Sequence, residues 1–99
     1  MLTKHKRITD RKMIAMMRKP YCEYCRSRAT GEPHHVFTRG SGGGDIRENL
    51  VQLCGSCHTL AHDGGIHQMA LVALIARREG KTKDEIVRIN RLAQGREID

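Results

Sequence analysis

Apolar positions recur at helical spacing over three stretches and gather in short β-branched runs at two others. The order they predict is helix, knuckle, strand, glycine loop, strand, helix, helix. In residues 8–19, ITDRKMIAMMRK, a short helix would set Met13, Ile14, Met16 and Met17 on one side, with Thr9 as N-cap and Pro20 as its end. Residues 21–33 follow neither period and read as a knuckle and loop. HHVFT at 34–38 and NLVQL at 49–53 have the content of two antiparallel strands. Between them, RGSGGGDIRE holds four glycines in ten residues, the composition of a loop without packed structure. From Cys57 onward HTLAH is helix-compatible until Asp63-Gly64-Gly65 interrupts it. Residues 66–79 make the most apolar helix, with Ile66, Met69, Ala70, Ala73 and Leu74 at helical spacing and Gly80 as its stop. Thr82 and Glu85 form a capping box for a last helix from about 83 to 94, burying Ile86, Ile89 and Ala93 and closed by Gly95.

At 99 residues the chain is one domain, 1–99, divided into an N-terminal arm and helix (1–20), a central segment (21–65) and C-terminal helices (66–99). Hydrophobic residues are 38% and aromatics 3%, namely Tyr21, Tyr24 and Phe37, so the core is thin. A chain this small and this poor in large side chains normally needs a disulfide, a metal or a partner as a staple. Four cysteines are the obvious staple. No run of 18 apolar residues is present, which excludes a membrane-spanning helix. MLTKHKRITD is charged but has no apolar stretch behind it, so it does not read as a secretory signal and the expected location is cytoplasmic. Thiols are kept reduced there, which favours metal binding over disulfides.

The formal net charge is +7, and it is unevenly placed. Residues 1–20 carry seven basic and one acidic side chain, residues 21–65 four and five, and residues 66–99 seven and five. The excess sits in the arm, where Lys4, Lys6, Arg7, Arg11 and Lys12 could meet phosphates or simply form a solvated face. Twelve of the 18 basic residues are arginine, whose planar fork matches phosphate oxygens, and this tips the reading toward nucleic acid.

Cys22 and Cys25 form one C-x-x-C, Cys54 and Cys57 a second, with 28 residues between them. Two such pairs can set four thiolates tetrahedrally around Zn²⁺. An all-cysteine site has no open position and is therefore structural. The other readings are a redox dithiol or four independent buried thiols. The interval is longer than in an ordinary zinc ribbon, and the insert carries histidines. His58 and His62 are four apart, so a helix would project both from one face as a metal clamp requires. His34 and His35 are neighbours on a strand and face opposite ways, so one can ligate while the other does something else. A competing reading puts His58 in the zinc knuckle in place of a cysteine.

The order of HH at 34 and 35, the loop GSGGGD, Asn49 and LCGSCHTLAH at 53–62 resembles the HNH endonucleases, the ββα-metal nucleases, in their small zinc-stapled phage and bacterial form. The resemblance covers residues 22–62 and implies an α+β, ββα-metal (His-Me finger) fold with a structural four-cysteine zinc site and flanking helices. It implies His35 as general base and His34, His58 and His62 as ligands of a catalytic divalent metal. Asn49 would either ligate that metal or brace the loop. Arg39 matches a basic position that contacts phosphate. Many relatives have aspartate where this chain has His34, and imidazole ligands leave Mg²⁺, Mn²⁺, Ni²⁺, Co²⁺ and Zn²⁺ all open as the catalytic ion. The implied activity is hydrolysis of double-stranded DNA, by nicking or double-strand cleavage, leaving 5′-phosphate and 3′-hydroxyl ends. Phage packaging proteins are partners by the same resemblance alone.

The residue types suit that chemistry on their own terms. A neutral imidazole, with an ordinary pKa near ~6.5, can take a proton from water at neutral pH. A divalent ion on neutral histidines keeps its full charge for a phosphate. The reading from a different class is a noncatalytic zinc-ribbon DNA-binding module, which accounts for the cysteines and the charge but leaves His34, His35, Asn49, His58 and His62 idle.

Overall fold

The structure, a computed structural model, describes residues 6–96. Lys4 lies outside them. The protein is α+β: among the described residues there are four α-helices and one two-stranded antiparallel sheet. The helix α1 (Arg11–Met17) is followed by β1 (His34–His35), β2 (Leu50–Val51), α2 (Gly55–Asp63), α3 (Gln68–Glu79) and α4 (Lys83–Ala93), with single 3₁₀ turns at Arg39–Ser41 and Arg47–Asn49.

Helix α1 starts later than the pattern suggests, because Asp10 and not Thr9 is the N-cap; its carboxylate accepts from the Met13 amide at 3.0 Å. Ile14 and Met17 are buried against Leu50, while Met16 points to solvent. The strands are also shorter than their apolar runs. His34 pairs with Val51 and His35 with Leu50, and the Val36 amide donates to the Asn49 carbonyl. There the ladder ends, because the next backbone groups, those of Phe37, are taken by the side chain of Asn49.

The glycine segment is packed, contrary to its composition. Gly43, Gly44 and Asp45 are buried. The Gly43 amide donates to the Thr38 carbonyl at 2.8 Å, and the Asp45 amide to the Ile8 carbonyl at 2.9 Å. Glycine is needed at 43 for space: a Cβ there would lie 1.7 Å from the Phe37 carbonyl oxygen. Composition registers the missing side chains, while the fold uses the close backbone approach they permit.

The buried face of α3 differs from the expected one. Leu71, Val72, Ile75 and Ala76 are enclosed, whereas Met69 and Ala70 are exposed and Ala73 and Leu74 half-buried. The helix carries two apolar stripes, and packing against α4 and β2 selects between them. The predicted capping box of α4 is present: Thr82 Oγ1 accepts from the Glu85 amide at 3.1 Å and Glu85 accepts from the Thr82 amide at 2.9 Å. Ile86 and Ala93 are buried and Ile89 is half-buried. Gly80, with φ of 68°, caps α3 in the left-handed region, so the α3–α4 turn needs no strained side chain.

The main core joins Val36, Val51, Leu53, Ile66, Val72, Ile75 and Ile86 to three of the cysteines, Cys22, Cys54 and Cys57. One polar network ties α3 to it. Arg78 on α3 donates to buried Glu23, to the Leu50 carbonyl and to the Arg47 carbonyl. Glu23 in turn accepts from the Gln52 amide at 2.7 Å, so the first knuckle, the strand β2 and α3 are locked together. Among the described residues no helix is long and apolar enough to cross a membrane.

Candidate active site

The four cysteines converge. Their sulfurs all lie within 4.8 Å of one another, with Cys25 and Cys54 Sγ 3.6 Å apart, a grouping compatible with structural zinc. Each pair forms a knuckle in which the second cysteine's amide donates to the first cysteine's sulfur at 3.4 Å, Cys25 to Cys22 and Cys57 to Cys54. Arg26, at a φ of 70°, lets the first knuckle turn back so that its amide reaches the Cys22 carbonyl. Burial pushes the Cys57 thiol up. Cys54 is drawn down to about 6, chiefly by hydrogen bonding with Ser27. The second knuckle is also the start of α2, since Cys54 is its N-cap. Whatever fixes Cys54 and Cys57 therefore fixes the helix that carries His58 and His62.

A second cluster lies next door. His34 on β1 meets His58 and His62 on α2, with ring centroids 5.0 and 5.4 Å from its own, and the Nε2 atoms of His58 and His62 face each other at 3.0 Å. One ring nitrogen from each lies within 4.8 Å of the others, so the three can meet on one ion. His34 is buried, and that burial, followed by the neighbouring imidazoles, holds its pKa down at about 4. Burial, then His62, lowers His58 as well. Imidazoles disposed to be neutral keep their lone pairs for a cation. The cluster opens on a cleft of about 640 Å³ that is also lined by His35, Thr38 and Arg39. Three nitrogen donors beside an open cleft could hold a divalent ion and leave positions on it for a further ligand.

His35 faces the other way, as alternation on a strand requires. Its Nε2 is 2.7 Å from Oδ1 of Asp45. Asp45 is 3% exposed and accepts two further bonds, from Arg7 Nη1 at 2.7 Å and the Asp10 amide at 2.9 Å. Burial opposes ionisation of this carboxyl, yet the hydrogen bonds from Arg7, Asp10 and His35 outweigh it and hold the pKa at about 2. Asn49 is fully buried and its amide is committed to backbone: Oδ1 accepts from Phe37 N, and Nδ2 donates to the carbonyls of Phe37 and Gly44.

Of the remaining expected site residues, Arg39 is exposed at the cleft, and Lys6, Arg11 and Lys12 are exposed. Arg7 is turned inward, donating to Asp45 and to the Gly43 carbonyl. Asp45 and Ser27 are the residues that sequence reasoning missed. Ser27 Oγ, 2.9 Å from Cys25 Sγ, follows the first knuckle by two residues. Asp45 had one available signal: it is the only acidic residue between the two histidines of β1 and Arg47. An aspartate after glycines is also an ordinary turn residue, so that signal alone does not single it out.

No curated protein and no solved structure matches this chain. Residues 22–64 match the family model described as HNH endonuclease. That stretch contains both cysteine pairs, β1, the glycine loop, β2 and α2, and over it the chain is similar to the HNH endonucleases.

Proposed function

We propose that the protein is a metal-dependent DNA endonuclease, in which His35 is the general base, His34, His58 and His62 hold one catalytic divalent metal, and Cys22, Cys25, Cys54 and Cys57 hold a structural zinc. The observation that carries the reading is the division of labour at β1. His34 turns to the imidazoles of α2 and His35 turns to a carboxylate, so adjacent histidines have separate tasks. A zinc module that only bound DNA would have no use for either arrangement.

His35 takes a proton from water as the water oxygen attacks phosphorus; the bond from phosphorus to the 3′ oxygen breaks, and that oxygen gains a proton from solvent. When bound, the divalent ion supplies Lewis-acid neutralisation at the phosphate and the departing oxygen. Asn49 acts as a positioning residue, closing the glycine loop over Phe37 and leaving ligation to the three histidines. Arg39 at the cleft, with Lys6, Arg11 and Lys12 on the arm, contributes phosphate contacts on double-stranded DNA.

Supercoiled plasmid incubated with the protein and Mg²⁺, Mn²⁺, Ni²⁺, Co²⁺ or Zn²⁺ tests this. The expected outcome is nicked or linear product with at least one ion and none with chelator. DNA binding without cleavage under every ion would favour the noncatalytic module.

A further inference from the structure

We propose that Asp45 is the positioning residue for His35, accepting the imidazole's Nε2 proton and so leaving the basic lone pair on Nδ1, and that Arg7 completes the assembly from outside the HNH segment. This rests on His35 being the general base.

Three observations converge on it. First, the contact is short and enclosed: Nε2 to Oδ1 is 2.7 Å, and the carboxylate is 3% exposed. Water competes little for such a bond, so it can fix the ring's rotation as well as its proton. Second, the carboxylate is supplied with donors from three directions, His35, Arg7 Nη1 and the Asp10 amide. Arg7 brings the balancing positive charge, so a neutral imidazole N–H suffices as the third donor. An ionised carboxylate has no proton to give, hence the hydrogen in the His35–Asp45 bond belongs to Nε2. Third, the loop is built to hold Asp45 in place. Its own amide donates to the Ile8 carbonyl, and the two residues before it are pinned through Gly43 and Gly44 carbonyls to Arg7 and Asn49.

The arm therefore has a task besides attracting DNA. Arg7, Ile8 and Asp10 precede the matched segment 22–64, yet they hold the residue that holds the base. In sequence they look like part of a basic tail; in the fold they are the outer layer of the active site.

The test reads the tautomer directly. Long-range ¹H–¹⁵N correlation on the zinc-loaded ¹⁵N protein, without DNA, should show His35 protonated at Nε2 with an unprotonated Nδ1. Asp45→Asn, which replaces two acceptor sites with an NH₂ group, should shift His35 toward the Nδ1–H form. It should also lower kcat for plasmid cleavage by about 10² to 10⁴, with KM changed far less. Arg7→Gln should lower kcat by about tenfold or more, and Asp45→Glu should recover part of the tautomer preference. An Nδ1–H tautomer in the parent protein, which requires no variant to fold, overturns the proposal, and so does an unchanged tautomer in folded Asp45→Asn. A parent protein with the expected tautomer that leaves plasmid uncut under every divalent ion would overturn the nuclease reading instead, and the two failures are thereby distinguished.

Discussion

Asn49 pairs with Phe37 as a backbone strand would: its Oδ1 accepts from the Phe37 amide at 2.6 Å and its Nδ2 donates to the Phe37 carbonyl at 2.9 Å. The same Nδ2 reaches the Gly44 carbonyl at 3.0 Å, so one buried amide closes the loop between the strands. Asn49→Ala strands these backbone groups in a dry site, at about 1 to 3 kcal/mol for each unsatisfied group. We expect a stability loss of several kcal/mol in urea unfolding, together with loss of cleavage. A variant of parental stability would show that water replaces the amide freely.

Gly43 and Gly40 lie in the same loop but differ in surroundings. A Cβ on Gly43 would meet the Phe37 carbonyl oxygen at 1.7 Å and its carbon at 2.5 Å, whereas nothing lies within 4 Å of one on Gly40. Gly43→Ala should therefore destabilise by roughly 2 to 4 kcal/mol, while Gly40→Ala stays within about 0.5 kcal/mol of the parent. Equal melting temperatures for the two variants would mean that the loop is not packed as described.

These residues also mark what could be read from the sequence. The C-x-x-C spacing, the i,i+4 histidines and the alternation of His34 and His35 are local regularities, and the cysteine and histidine clusters follow from them. The loop packing is not local: it depends on Asn49, Ile8 and Arg7 arriving from elsewhere, and four glycines in ten residues carry no trace of those partners. Asp45 escaped notice for the same reason, since its donors come from two separate stretches of chain, Arg7 and Asp10 before α1 and His35 on β1. On α3 the sequence offered two apolar stripes, and only the positions of α4 and β2 choose Leu71, Val72 and Ile75 over Met69 and Ala70.

Zinc should be a folding element, since structural zinc contributes its binding free energy to folding and three of the four cysteines sit in the core. Cys54→Ser is the informative variant because serine retains an N-cap oxygen for α2, so the cap is preserved while a ligand is lost. Metal analysis should find less than the parent's zinc content, and helical circular dichroism should melt well below the parent. A metal-free variant with the parental melting temperature would rule the zinc out as a staple.

Acid stability should report on Asp45. Its pKa, ordinarily 3.8, is held at about 2 in the fold. A depressed carboxyl contributes stability that is fully present above its unfolded value and is lost as pH falls through the folded one. The gap in unfolding free energy between the parent and Asp45→Asn should therefore shrink by on the order of 2 kcal/mol between about pH 4 and 2. Zinc loss in acid affects both proteins and cancels in the difference. A gap that does not change with pH would mean that the carboxylate's charge is not what the fold uses.

The account turns on His35 and the histidine cluster having separate roles in one reaction, and single-turnover cleavage of DNA by His35→Ala beside His58→Ala tests this most directly. His35→Ala should cleave about 10² to 10⁴ times more slowly than the parent at every metal concentration, with DNA binding unchanged. His58→Ala should be slow at low metal and recover as the divalent ion is raised. If His35→Ala cleaves at the parental rate, or if excess metal rescues it as it does His58→Ala, the assignment of His35 as the base is wrong.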